Sequence, residues 1–205
     1  MKIDRIIDVL KSEVKGFDAP VINLISFQSS DPDKVLVSAI LSTRTKDNVT
    51  LAASKKLFSK INNVNDLKNL SIASIERLIY PVGFYKTKAK HLKNLASVKR
   101  IPDTFEELVE LPGVGRKVAN LFLSVVHGKY EICVDTHVHR ISNRLGWVKT
   151  KTPFMTEKAL KKFLPKKYWR IINSILVAYG QKICKPINPK CSICKVSKYC
   201  GLNNH

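Results

Sequence analysis

The apolar positions of this chain recur at intervals of three and four along most of its length, and nowhere with the alternation of a half-buried strand. Ile3, Ile6, Ile7, Leu10 and Val14 form the first such stripe. Asp31 and Pro32 read as the cap and first residue of a helix through "DPDKVLVSAILS". A further helix fits "KDNVTLAASKKLFSKI" from Asp47, "SIASIERLIY" stops ahead of Pro81, and "YKTKAKHLKNLASVK" follows the "VGF" turn as a basic helix. Thr104 and Glu107 form a capping box for "DTFEELVEL", which runs into the reversal "LPGVG" before "RKVANLFLSVVHG", with Gly128 as its stop. Pro112 ends one helix there, and Gly113 and Gly115 permit the tight turn. After "KYEICV", Asp135 can cap "THVHRISNRLG", Thr152 and Pro153 open "FMTEKALKKFL", and "YWRIINSILVAYGQKI" is the last long helix. The pattern predicts an all-α protein of about ten helices, without repeats or low-complexity segments.

Composition narrows the class. A chain of 205 residues that is 44% hydrophobic, with 8 Gly and 9 Pro, can bury a core of one or two compact domains, which excludes a disordered tail. Against 16 Asp and Glu stand 36 Lys and Arg, a formal charge of +20, which favours a polyanionic partner and above all nucleic acid. No stretch reaches the length of a membrane span, and the acidic residues among the first apolar ones break the pattern of a signal peptide. We therefore expect a cytoplasmic, nucleoid-associated protein with no membrane partner, and a monomer as the simplest state.

The hairpin "LPGVGRK" carries the first candidate chemistry. A helix, a Gly-rich reversal and a second helix turn unpaired N–H groups and the positive end of a helix dipole outward, which suits a phosphate. Such contacts position a protein on DNA without reading sequence. The same residues also fit a plain helical corner with no ligand. Arg116, Lys117 and the charge of the chain favour the DNA-binding reading.

Cys184, Cys191, Cys194 and Cys200 stand in the spacing C-x6-C-x2-C-x5-C, four cysteines within seventeen residues. In a chain without an export signal this is a metal site rather than a disulfide framework. Four thiolates suit zinc or a [4Fe-4S] cluster, and a single C-x2-C knuckle leans towards iron and sulfur. Lys182, Lys185, Lys190, Lys195 and Lys198 surround these cysteines and could add a basic surface. Cys133, in apolar "EICV", reads as a core thiol.

Taken together, "LSTRTKD", "GFYKTKAKHL", "LPGVGRKVAN", "VDTHVHRISNRLG" and the terminal cysteine run resemble the endonuclease III branch of the helix-hairpin-helix DNA glycosylases, over nearly the whole chain. The resemblance implies a two-domain fold: a six-helix barrel over residues 24–131 with the hairpin at about 104–127, and a [4Fe-4S] domain built from residues 1–23 and 132–205. It implies Lys117 as the Schiff-base lysine, Asp135 as the catalytic aspartate, and Cys184, Cys191, Cys194 and Cys200 as cluster ligands. Phe84 falls where the family inserts an apolar residue into the DNA stack. Arg44 falls where many relatives carry a Gln that fills the space of the flipped nucleotide, a departure that bears on the opposite base. Leu111, Gly113, Val114, Gly115 and Arg116 complete the expected DNA contacts. The implied activity is that of a bifunctional DNA glycosylase and abasic-site lyase acting on damaged, oxidised pyrimidines in duplex DNA, or on abasic sites.

The residue types permit that chemistry. A damaged base must leave the stack before it is removed, and an apolar wedge helps hold the gap. A free lysine, with a pKa of about 10.4, is mostly protonated at neutral pH, whereas a helix N-terminus, desolvation and nearby cations favour the neutral amine. Asp135 can accept a proton and also cap its helix; His137 reads as a structural partner of that segment. Two rival readings remain at this level: a monofunctional mismatch glycosylase of the same superfamily, against which the lysine at 117 argues, and a non-catalytic DNA-binding protein.

Overall fold

In the computed structural model, residues 2–17 and 31–201 are described. They form ten α-helices joined by turns and short 3-10 segments, with no strand among them. The chain divides into two compact units, one of residues 21–129 and one of residues 1–20 with 130–205. The boundary expected at residues 23 and 24 lies outside the described residues. No helix among them is long and apolar enough to cross a membrane.

In the first unit, α2 (Pro32–Ser42) is the central element. Asp31 caps it by accepting from the amides of Asp33 and Lys34, and Pro32 occupies the first turn, where no amide is needed. Every residue from Val35 to Leu41 is buried, as a helix apolar on all sides requires. It packs against α3 (Asp47–Phe58), α5 (Tyr85–Leu95) and α7 (Arg116–Val126), while α4 (Ile72–Ile79) lies against α3 and α5. A 3-10 segment at Val64–Asn69, capped reciprocally by Asn63 and Asp66, packs on α5 and was not expected from the periodicity. The short helix α6 (Phe105–Val109) meets α7 across the glycine hairpin.

Only half of the expected capping box forms at α6. Thr104 Oγ1 accepts the Glu107 amide at 3.4 Å, but the Glu107 carboxylate takes the Thr104 hydroxyl hydrogen, at 2.5 Å. The helix is correspondingly five residues long, shorter than the sequence pattern suggests.

In the second unit, α1 (Lys2–Val14) buries Ile3, Ile6, Ile7 and Leu10 against α10 (Trp169–Lys182) and its neighbours. Ile7 and Leu10 are fully buried, and truncating either to Ala would cost about 2–5 kcal/mol. Asp4 pins the amino-terminal helix by accepting from Tyr168 at 2.7 Å and pairing with Lys167 at 2.8 Å, which holds its carboxyl well below the usual range. The helices α8 (Thr136–Arg144) and α9 (Pro153–Phe163) are joined through Asn143, which donates to Thr150 Oγ1 and accepts its amide. Gly180, inside α10, permits the α8 crossing: a Cβ there would lie 2.4 Å from His137 Nδ1.

Candidate nucleic-acid interface and active site

The hairpin divides its two glycines between different tasks. Gly113 has φ of +81°, a left-handed conformation, and a Cβ on it would meet His91 Nδ1 at 2.9 Å. Gly115, the N-cap of α7, is extended at φ −94°, and a Cβ there would meet nothing within 4 Å. The reversal therefore uses Gly113 alone, and Gly115 leaves open room in front of the helix. Val114 is buried and donates its amide to the Leu111 carbonyl at 3.0 Å, rooting the hairpin in the core. Arg116 is exposed, with its guanidinium 4.4 Å from the centre of the Phe105 ring.

Lys117 is the second residue of α7 and half-buried, in the first helical turn where amides have no intrahelical acceptor. Close to it lies a second lysine that the sequence reading passed over. Lys88 is 5% exposed, on the face of α5 that also buries Ala89, Leu92 and Leu95. A lysine at that point of an apolar stripe is the signal that could have found it. Its ammonium donates to the carbonyls of Leu41 at 2.8 Å and Thr43 at 2.5 Å, and to Thr45 Oγ1 at 3.2 Å. Burial, aided by the charge of Lys117, pushes the Lys88 ammonium down to about 8.

Arg44, Phe84 and Gly113 are brought to one pocket of about 250 Å³, shared with Thr87, Lys88 and His91. Arg44 and Phe84 both have left-handed backbones, φ 51° and 58°, and the guanidinium stands 5.3 Å from the centre of the Phe84 ring. Phe84 is 60% exposed.

Asp135 belongs to the other unit. It is the N-cap of α8, and its Oδ1 accepts from the amides of His137 at 2.9 Å and Val138 at 2.8 Å. The same helix reaches the cysteine segment. Arg140 Nη2 lies 3.1 Å from His137 Nδ1 and donates to the carbonyl of Cys184 at 2.7 Å. Burial lowers the proton affinity of this guanidinium from its ordinary value. Arg144 donates to Cys184 Sγ at 3.3 Å and to the carbonyls of Lys185 and Pro186.

Cys184, Cys191, Cys194 and Cys200 are unbridged and half-buried. Tyr179 donates to Cys194 Sγ at 3.1 Å, and burial together with that sulfur pushes the Tyr179 hydroxyl above its usual range. Donors aimed at two of the sulfurs suit thiolate ligands. Cys200 donates its thiol hydrogen to the Arg144 carbonyl at 3.3 Å, a bond that metal ligation would replace. Among the described residues no three His, Cys, Asp or Glu side chains converge on a single-ion site. Four cysteines with such donors are a ligand set of a kind that suits zinc or an iron–sulfur cluster alike. Cys133 is buried, as a core thiol.

Residues 37–166 match the family model described as HhH-GPD superfamily base excision DNA repair protein. Endonuclease III of Thermotoga maritima is 46% identical over 179 residues, covering 84% of each chain. Among solved structures, a non-covalent endonuclease III–DNA complex superposes with a TM-score of 0.88 at 28% identity, over 98% of this chain and 95% of that one. A trapped covalent endonuclease III–DNA intermediate gives 0.80 at 30% identity, over 89% and 93%. With its glycine hairpin, its lysine at the head of α7 and identity of this extent, the chain belongs to the HhH-GPD superfamily of base excision DNA repair proteins, in the endonuclease III family.

Proposed function

We propose that this chain is a bifunctional DNA glycosylase and abasic-site lyase, removing damaged, oxidised pyrimidines from duplex DNA through a lysine Schiff base and cutting 3′ to the abasic site. The observation that carries the reading is the place of Lys117, half-buried in the first turn of α7 directly behind a glycine hairpin. The amides and positive end of that helix turn suit a phosphate of the strand whose sugar the amine would attack. The two solved endonuclease III relatives are complexes with DNA, which supports duplex DNA as the partner.

In the proposed reaction Phe84 and Arg44 enter the stack, and the segment Gly113 to Arg116 offers amides and charge to a phosphate, with Leu111 and Val114 shaping the hairpin. Lys117 Nζ attacks C1′ and forms a C–N bond, while the base leaves with the glycosidic electron pair and takes up a proton. The C1′–O4′ bond of the resulting aminal then opens, O4′ taking the electron pair and a proton, and the iminium so formed renders a C2′ hydrogen acidic, whose removal expels the 3′ phosphate. Asp135 accepts a proton during the reaction and stabilises positive charge on the sugar, using a carboxylate already fixed by two amides. Cys184, Cys191, Cys194 and Cys200 would hold a [4Fe-4S] cluster, which supplies a covalent cross-link of the carboxy-terminal segment.

Borohydride trapping on duplex DNA with an abasic site tests the reading. Wild type forms a covalent adduct, whereas Lys117→Ala binds the same DNA and forms none. An unreactive wild type, or an adduct that survives in Lys117→Ala, would overturn the lyase assignment.

A further inference from the structure

Lys88 occupies a place where a hydrophobic residue would fill the α5 face without the cost of desolvating a charge. Its three donors instead serve the end of α2 and the turn beyond it. The carbonyls of Leu41 and Thr43 belong to the negative terminus of α2, where acceptors lack intrahelical partners. Thr45 Oγ1 accepts from Lys88, accepts the Gly83 amide at 3.2 Å and donates to the Thr43 carbonyl at 3.1 Å. Arg44 lies inside the turn so tied, and Phe84 directly follows Gly83. The two turns touch so closely that a Cβ on Gly83 would lie 2.3 Å from the Arg44 carbonyl oxygen.

Both probing residues have left-handed backbones. Each such residue other than glycine is strained and persists only where its surroundings over-determine it. The surroundings here are Lys88, Thr45 and the Gly83 contact. We propose that Lys88 is a positioning residue for opening the base stack: it locks the turn bearing Arg44 to the turn bearing Phe84, so that the two side chains meet DNA as one preformed wedge. This rests on the reading of Phe84 and Arg44 as the side chains that enter the stack. The Arg44 guanidinium, over the Phe84 ring, keeps the two side chains together at one point.

The experiment compares wild type, Lys88→Met, Thr45→Val and Phe84→Ala on two substrates: an oxidised pyrimidine in fully paired duplex, and an abasic site in single-stranded DNA, where no stack must be opened. A 2-aminopurine next to an abasic-site analogue in duplex reports unstacking at saturating protein. Lys88→Met should lose roughly tenfold to a hundredfold in duplex excision, as expected for misplaced positioning groups. It should trap the single-stranded site at the wild-type rate and give a weaker 2-aminopurine rise. Thr45→Val should show the same split to a smaller degree and serves if Lys88→Met does not fold. Equal losses on both substrates would overturn the proposal, since Lys88 would then act on the chemistry of Lys117 or on folding. So would full duplex activity in Lys88→Met with Phe84→Ala impaired, which would leave the wedge reading standing. Phe84→Ala with unimpaired duplex excision would remove the wedge reading and the role of Lys88 together.

Discussion

Asp135 holds two backbone amides on one oxygen, a task that asparagine performs about equally well, whereas only a carboxylate can take a proton. Cap and chemistry are therefore separable at one position. Asp135→Asn should change unfolding free energy by less than about 0.5 kcal/mol, because Asn and Asp are comparable caps. Its base excision rate should nonetheless fall by roughly a hundredfold or more, the usual contribution of a positioned acid or base. Single-turnover kinetics beside chemical denaturation would check this, and parallel losses of rate and stability would reduce Asp135 to a helix cap. Its capping role was legible in the sequence because the amides it binds lie two and three residues away. The apolar stripe around Lys88 hints at its burial, but its partners were not legible, because they lie 43 to 47 residues away on a different helix end.

At the scale of elements, the hairpin between α6 and α7 offers the sharpest contrast. Gly113→Ala places a Cβ beside His91 in a left-handed conformation and should destabilise the protein by about 1–2 kcal/mol. Gly115→Ala meets open space with an ordinary backbone, so thermal melting should hardly move. It should still weaken duplex binding in fluorescence anisotropy, by roughly tenfold if the added methyl displaces one phosphate contact worth about 1.4 kcal/mol. Unchanged affinity in Gly115→Ala would argue that the opening before α7 receives no DNA. Two glycines two residues apart look alike as punctuation, and only the folded backbone separates the one that turns the chain from the one that clears a space. Gly180 makes the same point within α10, where a residue that weakens a helix by about 1 kcal/mol relative to Ala is retained because His137 of α8 passes against it.

For the whole molecule, a formal charge of +20 predicts binding governed by counterion release. Affinity for undamaged duplex should fall by about three to five orders of magnitude between 50 and 200 mM salt if six to ten phosphates are engaged. A salt titration followed by anisotropy checks this, and a nearly flat dependence would mean that the lysines are solvated surface rather than a DNA-binding face. Charge was readable from composition, but its disposition was not, since Lys88 is consumed inside the protein and Lys167 is paired with Asp4.

The helices, most of their caps, the hairpin and the cysteine spacing were determined by the sequence itself, because each depends on residues within a few positions of one another. Asp31, Ser71, Thr152 and Asp135 cap their helices by local bonds that side-chain chemistry alone makes favourable. The tertiary structure decided which of these signals meet. It set Arg44 against Phe84, buried Lys88 under the turn that carries Arg44, and joined α8 to the cysteine segment through Arg140 and Arg144. Those contacts depend on the packing of distant helices, which no local pattern encodes: a lysine or an arginine in a basic chain looks like solvated charge until the fold removes water from around it and supplies carbonyls in its place.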